Sequence, residues 1–274
     1  MSRISKRFDE LKSQNRAGFI AFISAGDPNY ETSLKILMGL PEAGADIIEL
    51  GMPFTDPMAE GSAIQASSLR ALKAGQTMAK TLQMARHFRA SNKETPVVLM
   101  GYYNPIHAYG VDKFATDAQA SGVDGLIIVD LPPEEDHELR TPAKAAGLDL
   151  IRLATPTTDS KRLPKVLEGA TGFLYYVSIL GVTGSKEINT VEVAASVKRI
   201  KAATSLPVAV GFGIKTENDA AAVAKLADAA VVGSALVAEI SQFTRIDGKS
   251  VAGAAEAVLH LVRRLAGAAH NARV

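Results

Sequence analysis

The stretch AGADIIELG, residues 43–51, decides how this chain folds. Small residues ending in Gly44-Ala45 stop a helix, Asp46 opens a new segment, and a short apolar run follows. The same approach recurs as SGVDGLIIVD at 121–130, AGLDLIRLA at 146–154 and KLADAAVVG at 225–233. These runs are nearly continuous in apolar residues rather than alternating, as in parallel strands covered on both faces. Working outward, eight strands are predicted, at 19–24, 46–50, 97–101, 125–130, 149–154, 173–178, 208–211 and 229–233, with amphipathic or Ala-rich segments between them. Such a soft repeat at β/α period predicts one α/β domain over 1–274, a single (β/α)8 TIM barrel. A doubly wound open sheet is the competing architecture. It usually has fewer strands, and the sequence lacks its glycine-rich dinucleotide turn after the first.

Ile4, Phe8 and Leu11 fall at i, i+4 and i+7, which predicts an extra N-terminal helix capping the lower end of the barrel. The Ala-rich tail, 250–274, reads as a last outer helix that frays at its end. Unequal spacing of the strand starts marks extra chain after the second strand (52–95) and the sixth (179–190). Both are read as long loops on the C-terminal face, where barrels do their chemistry.

Composition narrows the function class. Lys and Arg number 30 against 29 Asp and Glu, a net charge of +1 with no long run of one sign. That argues against nucleic acid or an anionic membrane as partner. With no cysteine, disulfides, thiolate metal sites and a cysteine nucleophile are excluded. Residues 1–18 carry charges every few positions and lack the apolar core of a secretory signal. No run approaches the ~20 apolar residues that span a bilayer. A cytoplasmic role on a small molecule is expected.

Glu49 and Asp130 are the ionisable groups at predicted strand C-termini. No lysine lies in a predicted strand, so a Schiff-base aldolase lacks its nucleophile. His87, His107, His137, His260 and His270 fall in helices, loops or the tail without metal-ligand spacing, and no metal is expected. Metal-free carboxylate chemistry remains. Glu49 stands between Ile48 and Leu50, and a carboxyl in an apolar mouth has a raised pKa, suited to passing protons near neutrality. A structural ion pair at the rim is its alternative reading. Asp130, followed by LPP, reads as a helix or loop cap or as a chemical group. GFG at 211–213 and GS at 233–234 leave the last two strands and suit an anion cradle, or else tight turns. The glycines of ILGVTGSKEINT, 179–190, suit a segment that closes over substrate, or a plain surface loop.

SAGDP at 24–28, ELGMPFTDPMAEG at 49–61, GYYNPI at 101–106, DLPPEE at 130–135, GVTG at 181–184, GFGI at 211–214 and VVGSA at 231–235 follow one another in that order. Together they resemble the α subunit of tryptophan synthase, from near the N-terminus to about Val237. The resemblance implies a cofactor-free retro-aldol cleavage of indole-3-glycerol phosphate to indole and glyceraldehyde 3-phosphate. It makes Glu49 the general acid/base and Glu60, where relatives usually carry aspartate, the group that holds the indole N–H. It places Phe22, Ile64, Met100, Ile127, Asp130, Leu153, Tyr175, Thr183 and Phe212 around the substrate, and Gly184, Gly213, Gly233 and Ser234 on the phosphate. Ile179-Leu180 before GVTG departs from the polar or smaller residues of many relatives. A pyridoxal-phosphate β subunit in an α2β2 assembly is the implied partner, receiving indole through a tunnel, with Asp56 a cross-subunit charge. Competing readings are another phosphate-binding barrel, such as an isomerase or the indoleglycerol-phosphate synthase, a lyase that works without a β subunit, and a non-catalytic subunit. The synthase would show a strand-end lysine, and a non-catalytic subunit would have lost Glu49.

Overall fold

The computed structural model describes residues 2–178, 189–211, 213–244 and 252–273. Its strands are β1 (Gly18–Ser24), β2 (Ile47–Gly51), β3 (Val97–Gly101), β4 (Gly125–Ile128), β5 (Asp149–Leu150), β6 (Arg152–Ala154), β7 (Leu174–Val177), β8 (Val208–Gly211) and β9 (Ala229–Val232). All pairs are parallel, in the order β5-β4-β3-β2-β1-β9-β8-β7-β6. The two ends of that order, β5 and β6, are parted in the chain only by Ile151, whose N–H donates to the Leu126 carbonyl at 2.9 Å. One segment, 149–154, therefore pairs with β4 through its first half and with β7 through its second. That shared segment closes the sheet into a barrel at the predicted eight strand positions.

The helices are α1 (Arg3–Ser13), α2 (Tyr30–Gly39), α3 (Ser62–Lys73), α4 (Met78–Ser91), α5 (Tyr103–Tyr109), α6 (Val111–Ala120), α7 (His137–Ala145), α8 (Leu163–Leu167), α9 (Thr190–Lys201), α10 (Glu217–Leu226), α11 (Ser234–Gln242) and α12 (Ala254–His270). The repeated aspartates have a structural task at the foot of the barrel. Asp46, Asp124 and Asp228 each accept a backbone N–H near the start of the strand before their own, from Phe19, Val97 and Val208, all at 2.8 Å. Asp149 does not follow the pattern; there Thr171 Oγ1 takes the Leu150 N–H at 2.7 Å.

The continuous apolar runs resolve into two faces of period two. Inward residues such as Ile20, Ile47, Val98, Ile127, Ile151 and Phe173 form one cluster, completed from below by Ile4, Phe8 and Leu11 of α1. The Phe8 and Phe173 rings lie 5.6 Å apart. Outward residues such as Phe19, Ile23, Ile48, Leu50, Leu99 and Leu126 form a second cluster against the helices. Both faces are buried because helices cover the outside and side chains fill the inside.

Two expectations need correction. Most of the long loop expected at 52–95 is α3 and α4, with 52–61, 74–77 and 92–95 left irregular. Thr77, whose side chain accepts the Lys80 N–H, starts α4 after a tight turn at Gly75, so one loop becomes two helices. The tail does not fray among the described residues. Arg273 Nε donates to the Ala224 carbonyl at 2.9 Å, His270 Nε2 lies 2.9 Å from Asp46 Oδ2, and α12 packs on α2, α10 and α11. Of the sixth-strand loop expected at 179–190, residues 179–188 lie outside the described residues, and Asn189 and Thr190 cap and begin α9. Among the described residues no helix is long and apolar enough to cross a membrane.

Candidate active site

Alternation along β2 aims Glu49 into the barrel, since Ile47 two residues earlier already faces inward. Its register partners are Phe22 on β1 and Val98 on β3. The Glu49 side chain has no exposed surface, and neither carboxyl oxygen finds a hydrogen-bond partner among the described residues. Burial, and then the charge of Glu60, push its pKa up to about 8.

Glu60 comes from the loop after β2, directly before α3. Two bonds fix that loop: the Ala59 N–H donates to the Tyr102 hydroxyl at 2.9 Å, and Gln65 Nε2 donates to the Glu60 carbonyl at 2.8 Å. The Glu60 residue is only 8% exposed, and burial raises its pKa to about 7. Two carboxyls thus titrate near neutrality in one cavity.

Phe22, Ile64, Met100 and Tyr175 give that cavity apolar walls, and Gly213, Gly233 and Ser234 line another part of it. Gly233 is the N-cap of α11 and has no side chain to hold the helix's first amides, leaving them for an anion. Gly213 has φ +86°, a left-handed conformation that favours glycine. Gly211 is required by packing, because a Cβ there would come within 2.2 Å of the Tyr175 hydroxyl oxygen. Burial and the two carboxylates hold the Tyr175 phenol well above its ordinary pKa, so it stays neutral.

The structure therefore brings Phe22, Glu49, Glu60, Ile64, Met100, Tyr175, Gly213, Gly233 and Ser234 to one cavity. Asp130 and Leu153 line a neighbouring cavity that shares Glu60, Met100 and Tyr175 with the first. Asp130 Oδ1 also accepts the Tyr103 N–H at 2.8 Å, which gives it a capping task at the start of α5. Ile127 is completely buried in the inner cluster. Asp56 is exposed and bonded to the Thr55 hydroxyl. Thr183, Gly184 and Phe212 lie outside the described residues. Sequence reasoning missed Tyr102, whose hydroxyl steadies the Glu60 loop, although GYYNPI stood at a strand end. It also missed Lys215, two residues beyond Gly213, which lines the cavity. Among the described residues no cluster of side chains could hold a metal ion, and no strand carries a lysine.

A family model described as tryptophan synthase alpha chain matches residues 8–269. The fold is similar to the tryptophan synthase alpha chain of Legionella pneumophila subsp. pneumophila, at 40% identity, TM-score 0.87, covering 98% of this chain and 97% of that one. It is similar also to a structure from Aquifex aeolicus VF5, at 35% identity, TM-score 0.88, covering 99% and 100%. A Mycobacterium tuberculosis tryptophan synthase matches at 33% identity, TM-score 0.88, covering 98% of each chain.

Proposed function

Because the chain belongs to the tryptophan synthase alpha chain family, and so cleaves indole-3-glycerol phosphate into indole and glyceraldehyde 3-phosphate, we propose that Glu49 and Glu60 divide the proton work. The observation that carries the assignment is Glu49 itself, a wholly buried carboxyl without a hydrogen-bond partner among the described residues, lining a cavity with a second carboxyl. A carboxylate buried for structure alone would be paired.

With a pKa of about 8, Glu49 is largely neutral at pH 7 and has a proton to give. It delivers that proton to C3 of the indole ring, which makes the bond from C3 to the glycerol carbon breakable. The Glu49 carboxylate then removes the proton from the hydroxyl on that carbon. The electrons of the carbon–carbon bond return to the ring, and the carbon departs as the aldehyde of glyceraldehyde 3-phosphate. Glu49 ends protonated, as it began. Glu60, ionised while Glu49 is neutral, accepts the ring N–H and stabilises the positive charge that the nitrogen carries while C3 is saturated. The extra methylene of glutamate over aspartate is accommodated by the loop held at Ala59 and Gln65.

Phe22, Ile64, Met100 and Tyr175 flank the ring, with Ile127, Leu153 and Asp130 beyond them, and Phe212 is assigned to the substrate by family resemblance. Gly213, Gly233 and Ser234 take the phosphate together with Gly184, and Thr183 completes the contact. One domain over 1–274 is supported by the single barrel and its surrounding helices. We assign no cofactor to this chain and place pyridoxal phosphate in a partner β subunit of an α2β2 assembly. Met58, 73% exposed beside Asp56 on the Glu60 loop, supports a docking role for that rim. A cytoplasmic location fits a cysteine-free chain acting on a phosphorylated metabolite.

Indole release by wild type and Glu49→Gln, each with and without a cognate β subunit, tests the reading. The variant is expected to lose on the order of 10³-fold in kcat while remaining folded, and the β subunit to accelerate the wild type. A folded wild type that releases no indole even with its β subunit overturns it.

A further inference from the structure

Helix α3 is tied to the C-terminal end of β1 by two polar contacts that none of the chemistry above uses. Ile64, Ser67 and Arg70 follow at intervals of three residues, so they share one side of the helix. Ser67 Oγ donates to the Ile64 carbonyl at 2.7 Å, and its oxygen accepts from Ser24 Oγ, the last residue of β1, at 2.6 Å. One turn further on, Arg70 Nε and Nη2 donate to the two carboxyl oxygens of Asp27, at 2.7 and 2.8 Å.

The loop that presents Asp27 is itself held firmly. The Ala25 N–H donates to the Gly51 carbonyl at 2.9 Å, the Gly26 N–H to Ser33 Oγ at 3.0 Å, and the Asp27 N–H to the Ser24 carbonyl at 3.2 Å. Asp27 has no exposed surface. Burial outweighs the bonds from Arg70 and leaves the Asp27 carboxyl above its ordinary range, so the pair is a poor source of stability. What a bidentate fork does supply is geometry, since it fixes distance and angle together.

That geometry bears on Glu60. Gly61 is the N-cap of α3, Gly61 and Ile64 line the cavity, and Gln65 Nε2 holds the Glu60 carbonyl at 2.8 Å. The first turn of α3 therefore carries Glu60, and Arg70 holds the same rigid rod about 9 Å further along its axis. A tilt of about 6° over that length displaces the first turn by roughly 1 Å, and displacements of that size cost up to about 10²-fold in rate. The pair acts through the helix and not through its charge. Burial raises Glu60, burial and Glu60 raise Glu49, and neither Asp27 nor Arg70 is among the causes.

We propose that Arg70, held by Asp27, is a positioning residue for the cleavage, fixing the angle of α3 and so keeping Glu60 buried in the cavity that holds Glu49. This rests on the part given to Glu60 above.

Arg70→Met, Arg70→Lys and Asp27→Asn test it in the full chain, with the fold checked by circular dichroism and urea unfolding. Arg70→Met is expected to lower kcat about tenfold while KM stays within about twofold. A loosened first turn lets water back to Glu60, so the acid limb of kcat/KM moves to lower pH. Among the described residues, the ionisable side chains that share a cavity with Glu60 are Glu49, Tyr175, Lys215, Asp130, Arg152 and Arg162, and Tyr102 bonds its loop. None of them lies on α3 or in the loop after β1, so the moving limb reports the surroundings of Glu60 and not a lost neighbouring charge. Arg70→Lys keeps the charge and recovers only part of kcat, because an ammonium cannot make both parallel bonds. Lower stability with wild-type kcat and an unmoved acid limb overturns the proposal. If Arg70→Met does not fold, Asp27→Asn, which keeps the shape and one acceptor oxygen, decides by the same two readings: smaller changes in the same direction support the proposal and their absence overturns it. If the wild type releases no indole, the reaction assignment fails separately. Carbon-13 titration of the glutamate carboxyls, with Glu60→Gln to identify the signal, then still decides, since the Glu60 pKa must fall in Arg70→Met.

Discussion

Replacing Glu49 with glutamine should make the protein more stable, and increasingly so as pH rises. Glu49 is wholly buried without a hydrogen-bond partner among the described residues, and its pKa stands at about 8 against an ordinary 4.5. Unfolding returns the group to its ordinary value. A carboxyl whose folded pKa is raised favours the native state fully only below its unfolded pKa. That contribution is lost as pH climbs towards the folded pKa and levels off above it. At ~1.4 kcal/mol per pH unit the penalty reaches about 3 kcal/mol at pH 7, most of it developing between about pH 5 and 7. Glutamine keeps the shape and carries no charge, so the wild-type-to-variant difference isolates this one group. Urea or thermal unfolding at intervals from pH 5 to 9 reads it. The melting temperature of Glu49→Gln should gain on the order of 5–10 °C relative to wild type between pH 5 and pH 7. A difference that stays constant across that range would mean that the Glu49 carboxyl titrates normally in the folded protein, and the argument for a neutral acid fails with it.

The pair also sets the pH dependence of cleavage. The active form holds one proton, on Glu49, so kcat/KM of the wild type should be bell-shaped with limbs near the values of about 7 and about 8 for Glu60 and Glu49. Glu60→Gln should abolish the acid limb and move the alkaline limb to lower pH, because the charge that helps raise Glu49 is gone; an unmoved alkaline limb refutes the coupling. At the foot of the barrel, bonds from Arg16 and His270 outweigh burial and hold the Asp46 carboxyl below its ordinary range. Asp46→Asn should cost ~3 kcal/mol at pH 7 in urea unfolding. A group depressed in this way gives stability above its unfolded pKa that fades as pH falls through the folded one, so the deficit should shrink below about pH 4. A deficit independent of pH counts against the ion pairs.

The sequence by itself determined the strand positions, the plugging helix and the place of Glu49 at a strand's C-terminal end. Each depends on local pattern: helix stop, aspartate, apolar run, and the apolar spacing of Ile4, Phe8 and Leu11. The same local logic made a loop of 52–95, because a stretch with extra helices between strands has the same length as a long loop and only the Thr77 cap distinguishes them. Tertiary structure decided the rest. No local pattern shows that 149–154 pairs half with β4 and half with β7, since closing the barrel needs both neighbours in place. Nor does one show the tail bound to Asp46 and to the carbonyls of α10, contacts made across more than 200 and about 50 residues of chain. The chemistry of the pair was the least legible. Glu60 stands in a loop sequence, and its burial comes with neighbours such as Tyr102 just past β3, Met100 on β3 and Tyr175 on β7. A pKa is set by everything within a few ångströms of the group, and those neighbours are gathered from across the whole barrel.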